Sequence, residues 1–245
     1  MISVCLPVYA SNIAWLAMES LCNQKTCVKW ELVVMEDEQY PLGEKFYCKY
    51  LSRLTSAGCG DLKYYYSEKR ISLAEKWVMM AKKCHMDSIG ILLQAADNYS
   101  EPNRIENSAD MFHDGADWIY CNKIHFYHVK KKKMLMYYAY GIGIGSDMGI
   151  RTELARQFPM VEKWSSVDTW LLNSLKEIKP DLKIVEYFNN GAPAGLATDG
   201  ANRISLNRHK MFDNPIPPFY PTRYKLFDCI PKEIIHLLNE YQKKD

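Results

Sequence analysis

Apolar and polar positions follow two alternating periods along the first hundred residues. Residues 2–9 (ISVCLPVY), 31–35 (ELVVM), 62–66 (LKYYY) and 89–93 (IGILL) are short runs rich in apolar, β-branched or aromatic residues, and they predict strands. Between them apolar positions recur every three or four residues. Ile13, Leu16, Ala17 and Leu21 follow a capping Ser11 or Asn12, and Leu73, Trp77, Met80 and Ala81 share one face of residues 72–84. Residues 46–54 fit a further helix. Nearly continuous apolar strands need cover on both faces, so this alternation predicts a parallel sheet with crossover helices.

Past Pro102 the pattern changes. A helix is predicted over residues 103–111, and strands over 118–129 and 134–140, joined by Lys130, Lys131, Lys132 and Lys133 as a solvated hairpin turn. A proline-rich linker (213–221, DNPIPPFYP) precedes an amphipathic helix from Pro231, with Ile234, Ile235, Leu237 and Leu238 on its apolar face. The expected fold is therefore α/β, with a mostly parallel central sheet flanked by helices, a small additional hairpin and a C-terminal helix. Residues 1–212 are expected to form one domain, with halves at about 1–102 and 103–212, and residues 213–245 a linker and a helix packed upon it.

The ends of the predicted elements carry the candidate chemistry. The second strand runs into Glu36, Asp37 and Glu38, and the stretch 92–102 (LLQAADNYSEP) runs into Asp97 and Asn98. Asp168 opens an apolar helix in SSVDTWLL. Ligands of open α/β sheets bind at the carboxyl ends of strands, so these acids point to a nucleotide and metal site.

Composition narrows the classes. At 245 residues and 48% hydrophobic content the chain can bury a large core, and a net charge of +2 gives no sign of a nucleic-acid partner. Eight cysteines show neither a CxxC pair nor histidines at zinc spacing, which points to reduced thiols and a cytoplasmic protein. The first residues read as a strand rather than a signal segment, and no apolar run approaches membrane-span length; peripheral membrane contact stays open. The GIGIG of residues 141–145 lacks the spacing of a dinucleotide loop.

Read in order, these landmarks resemble a family 2 glycosyltransferase with the GT-A fold, over about residues 2–190. SVCLPVYAS is similar to the family's first strand ending in Pro-x-Tyr, and SLCNQKTCVKWELVVMEDE to its helix, turn and acidic second strand. ISLAEKWVMMAKKC and IGILLQAADNYSEPNRIE match the nucleotide-facing helix and the acidic strand end, and GSDMGIRTELARQF with SSVDTWLL the acceptor side and the helix of the catalytic carboxylate.

The resemblance implies a sugar transfer from a nucleoside-diphosphate sugar, with UDP as the expected nucleotide, to an acceptor hydroxyl on a glycan, glycoprotein or lipid-linked molecule. It implies nucleotide contacts at Pro7, Val8, Tyr9, Asp37, Lys76 and Ala96, with Arg70 as a second cation beside the phosphates. Where the family has Asp-x-Asp, this chain has Ala95, Ala96 and Asp97, so Asp97 alone is left to hold Mn2+ or Mg2+. Asp168 is the implied base of an inverting displacement. His209 falls where some relatives place another metal ligand, while His125 and His128 alternate along a strand toward acceptor or solvent. Two other classes compete. A catalytically silent nucleotide-binding or scaffold protein is favoured by Ala95 and Ala96, whereas a sugar nucleotidyltransferase would need a glycine-rich basic loop that PVYASNIAW lacks.

Overall fold

The computed structural model describes residues 1–9, 14–37, 41–121, 123–128, 133–138, 148–187, 195–199, 219–221 and 231–241. Within them the chain runs β1 (Ile2–Val8), α1 (Ala14–Cys22), β2 (Trp30–Glu36), α2 (Glu44–Cys48), α3 (Leu51–Ser56), β3 (Cys59–Tyr66), α4 (Leu73–Lys83), β4 (Gly90–Leu93) and β5 (Asn98–Ser100). It continues through α5 (Arg104–His113), β6 (Trp118–Tyr120), β7 (Lys123–His128), β8 (Lys133–Tyr138), β9 (Gly149–Arg151), α6 (Thr152–Ala155), α7 (Val167–Ile178) and β10 (Ile184–Glu186). The last elements are β11 (Gly195–Asp199), β12 (Phe219–Pro221) and the C-terminal helix α8 (Lys232–Tyr241).

Seven strands form the main sheet in the order β10-β6-β9-β4-β1-β2-β3. β3, β2, β1 and β4 are mutually parallel, and β9 is inserted antiparallel between β4 and β6. The α/β architecture expected from the periodicity is the one found. Its apolar strands are covered on both faces: Val4, Leu6, Leu32 and Val34 pack in the cluster with α1 and α5, whereas Cys5, Val33 and Met35 pack in the cluster with α4 and α7. A second sheet, β12-β8-β7-β11-β5, contains the antiparallel β7–β8 pair. Helix α8 lays Ile234 and Leu238 against Leu16, Tyr99 and Tyr127.

Three local expectations are corrected. The helix predicted over 46–54 is two short helices, because Tyr50 N–H bonds to Tyr47 O (2.9 Å) in a tight turn that separates α2 from α3. The strand predicted over 118–129 is two strands in different sheets. β6 stays with β9 and β10, and Lys123 onward pairs with β8. His125 is buried in β7 rather than turned to solvent. The side chain of His128, the lysines at 130–132, the glycines of 141–145, His209 and most of the proline-rich linker lie outside the described residues.

Burial pushes the His125 imidazole down from its ordinary 6.5 to about 4. The unfolded chain takes up that proton first, so the contribution of His125 to stability is complete above pH 6.5 and is lost as the pH falls toward 4. Denaturant midpoints measured between pH 7 and 4.5 should fall in the parent and show a shallower slope in His125→Gln. Equal slopes would exclude His125 as the source.

Candidate functional site

The chain passes from β1 to β2 and β3 on one side, then crosses to β4 on the other, so the strand order reverses between β1 and β4 while both strands stay parallel. At such a switch point the loops leave in opposite directions and open a crevice. Pro7 helps to shape it. The last bond between the two strands at this end is Gln94 N–H to Cys5 O (2.9 Å), and the imide nitrogen of Pro7 faces the same side two residues later, where β4 has already turned away. The absent donor therefore costs no ladder bond.

On the other side of β1, Val8 is paired with Glu36, which brings Tyr9 and Asp37 side by side one step beyond the strand ends. Of the three consecutive acids expected as a group, Glu38 lies outside the described residues, and Glu36 and Asp37 divide their work. Glu36 is fully buried and accepts from Tyr47 Oη (2.8 Å), Tyr64 Oη (2.8 Å), Gly43 N (3.0 Å) and Leu42 N (3.3 Å). It organises the loop after β2. Burial and the Glu36 carboxylate together push the Tyr64 hydroxyl well above its ordinary range.

Asp37 is buried beside it, accepts from Ile71 N–H (2.8 Å) and is ion-paired with Lys76. Lys76 is correspondingly no surface lysine. It is 3% exposed and also donates to Val8 O (2.9 Å). Its placement comes from the start of α4, where Ser72 Oγ accepts from Glu75 N–H (3.3 Å) and the Glu75 carboxylate accepts from Ser72 N–H (2.8 Å). Glu75, the acid next to Lys76 in the sequence, is a capping residue. Carboxylate and carbonyl oxygens each offer more than one lone pair, so Asp37 and Val8 O can still accept from a ligand. Above them Tyr9 is half exposed, with the exposed Arg70 stacked over its ring (4.1 Å from Cζ to the centroid).

The end of β4 is held by side chains that the sequence does not single out. Residues 95–98 form a turn closed by Asn98 N–H to Ala95 O (3.3 Å), with Ala96 and the half-buried Asp97 at its centre. Gln94 folds beneath it, donating to Ala95 O (3.0 Å) and Asn98 O (2.9 Å) and accepting from Ser100 Oγ (2.5 Å) and Arg104 Nη1 (2.8 Å). Arg104 is 5% exposed and bonds Leu93 O (2.8 Å) through its other nitrogen. Asp97 is thus presented from a rigid turn, whereas Ala96 is buried and offers little surface.

Asp168 stands in the first turn of α7. Ser166, the residue before that helix, adopts a left-handed conformation (φ 51°, ψ 35°) and makes no side-chain cap bond, an unfavourable geometry for a residue other than glycine. The preceding segment is tied to α4: Lys163 N–H donates to Ser72 Oγ (3.0 Å) and Ala74 N–H to Lys163 O (3.3 Å). The structure therefore joins Val8, Tyr9, Asp37, Lys76 and Arg70 by direct contact. Asp97 lies at the end of the strand next to β1, and α7 is linked to them through Ser72. Among the described residues no group of three or more His, Cys, Asp or Glu side chains gathers as a metal site.

No family model and no curated protein sequence matches the chain. Solved structures do. The 1–349 fragment of S. aureus TarS in complex with UDP-GlcNAc superposes with a TM-score of 0.62 at 15% identity, over 81% of this chain and 58% of the fragment. The mannosyltransferase PcManGT from Pyrobaculum calidifontis, in complex with GDP-Man and Mn2+, gives 0.61 at 12% identity over 86% of this chain and 60% of that one. Glucosyl-3-phosphoglycerate synthase from Mycobacterium tuberculosis, with Mn2+, UDP and glucosyl-3-phosphoglycerate, gives 0.52 at 11% identity, over 86% and 75%. The chain spans 36% of the longer TarS structure. The fold is the GT-A fold, shared with neighbours solved in complex with UDP-GlcNAc, GDP-Man or UDP.

Removing the ammonium of Lys76 would leave Asp37 as a buried, uncompensated charge. Lys76→Met should cost roughly 3–5 kcal/mol of stability, and Lys76→Met combined with Asp37→Asn should recover most of it. Urea denaturation of the two single variants and the double variant measures this coupling; additive losses would show that the contact contributes nothing.

Proposed function

We propose that the chain is a glycosyltransferase that moves a sugar from a nucleoside-diphosphate sugar, with uracil as the base, to an acceptor hydroxyl with inversion at the anomeric carbon. The observation that carries this reading is the gathering of Tyr9, Asp37, Lys76 and Arg70 at the end of β1, beside the turn that presents Asp97 across the switch point. Tyr9 offers a stacking face, Asp37 an acceptor for a base N–H, and Arg70 a positive charge on the phosphate side. The acceptor is a glycan, a glycoprotein or a lipid-linked saccharide.

A divalent cation fits the site through one ligand. Asp97 provides a hard oxygen at the tip of a fixed turn, which suits Mn2+ or Mg2+ when a diphosphate and water supply the remaining oxygens. Bound there, the ion would neutralise charge on the leaving diphosphate. Asp168 accepts the proton of the attacking hydroxyl. The helix N-terminus favours its ionised form, and the hydroxyl becomes acidic enough for a carboxylate only as the new bond forms. Among the described residues all seven cysteines are free, which supports a reducing, cytoplasmic setting, and no helix among them is long and apolar enough to cross a membrane.

The second reading, a nucleotide binder without turnover, draws on Ala95 and Ala96, which leave a single carboxylate in the turn. Asp168→Asn keeps the shape of the side chain but cannot take the proton, so UDP affinity should persist while transfer falls about 100-fold or more. Asp97→Ala should remove most of the gain in UDP affinity conferred by Mn2+ while uridine still binds. Calorimetry and product analysis across a panel of donors read both effects. UDP binding with no transfer from any donor would select the silent binder, and retained transfer in Asp168→Asn would remove its assignment as base.

A further inference from the structure

Arg70 lies between two rings. Its guanidinium carbon is 4.1 Å from the centroid of Tyr9 and 4.8 Å from that of Trp164, and both rings are nearly half exposed. Among the described residues the guanidinium has no carboxylate partner; its contacts are the two rings. Trp164 does not reach this place by chance of a loose loop. The backbone bonds of Lys163 to Ser72 and Ala74 fix the residue before it on α4, and its indole N–H donates to Glu162 (3.0 Å).

Each ring turns its face to the same guanidinium, so a flat group in the place of that guanidinium meets both rings. A guanidinium and a nucleobase have the same thickness. A base stacked on an aromatic ring gains more than a hydrated guanidinium that forms no ion pair, and an arginine released from the stack regains a partner when a diphosphate arrives with the base.

We propose that Trp164 is the second wall of the nucleobase slot and that Arg70 is its placeholder: the base of a nucleoside diphosphate replaces the guanidinium between Tyr9 and Trp164, and the displaced Arg70 turns to the phosphates. The proposal rests on the nucleotide-sugar reading and adds a contact from the segment that leads into Asp168. Binding of the base then engages the segment four residues before the proposed base, which ties occupancy of the donor site to the position of α7.

Calorimetric titration of the full chain with uridine and with UDP tests it. Trp164→Ala should weaken both ligands by about fivefold or more, as loss of a base–aromatic stack does, and Trp164→Phe should retain most of the affinity. Arg70→Ala should leave uridine binding unchanged or tighter while weakening UDP. UDP should also change the tryptophan emission of the parent, and that change should be lost in Trp164→Phe. If the parent binds UDP and Trp164→Ala matches it, or if Arg70→Ala loses uridine in proportion to UDP, the slot is overturned while the functional reading stands. A parent that binds neither ligand overturns both. Trp164 is half exposed, and thermal melts that match the parent confirm that the variants are folded.

Discussion

The buried contact between Lys76 and Asp37 ties together the three elements on which the site depends. Lys76 comes from α4, Asp37 from the end of β2, and the second bond of the ammonium goes to the carbonyl of Val8 at the end of β1. A buried ion pair is a poor source of stability, since the cost of taking both charges from water offsets most of their attraction. What it supplies is position. With the ammonium satisfied by one oxygen from each of two strand ends, α4 cannot rotate or slide without stranding a charge. Ser72 at the start of that helix therefore has a fixed place to which the segment before Asp168 is bound.

The pair also decides the sign of the crevice. Asp37 and Lys76 cancel, which leaves Arg70 as the exposed charge stacked on Tyr9 among the described residues. An acid presented to an incoming diphosphate would repel it, and Asp37 at this edge would be such an acid without its partner. Neutralised, it keeps its lone pairs for hydrogen bonding and loses most of its field. Across the switch point the reverse holds. Gln94 and Arg104 spend their donors on carbonyls and on each other beneath the turn, so the Arg104 charge is buried under the backbone and the upper surface of the turn presents Asp97.

The strands were legible because a strand covered on both faces must be apolar at nearly every position, and β1, β2 and β4 are. Helix α4 was legible from Leu73, Trp77, Met80 and Ala81, which recur at helical spacing along one face. The roles of the charged residues were less so, because a charge in sequence looks the same whether it ends in water or in a core. Glu36 and Asp37 are neighbours of one type, yet alternation along β2 sends Glu36 to four donors and Asp37 to Lys76. Nothing in the sequence around Arg104 marks it as the clamp of the Asp97 turn. The split between β6 and β7 was hidden for a different reason: both halves have strand composition, and only pairing with β9 or β8 decides which sheet each joins.

Ser166 gives the remaining link. A non-glycine residue held at positive φ costs free energy of about 1 kcal/mol or more, and it persists where the surroundings leave the chain no other route. Here the route is constrained at both ends, by the bonds of residues 161–163 to Ser72 and by the packing of Val167, Leu171 and Leu175 in the core beside α4. The strained residue sits between these anchors and sets the direction in which α7 begins. Asp168 is two residues further on, so its backbone position follows from the same Ser72 that caps the helix of Lys76. The edge that gathers Tyr9, Asp37 and Lys76 and the proposed base are thus parts of one mechanical unit built on the first turn of α4.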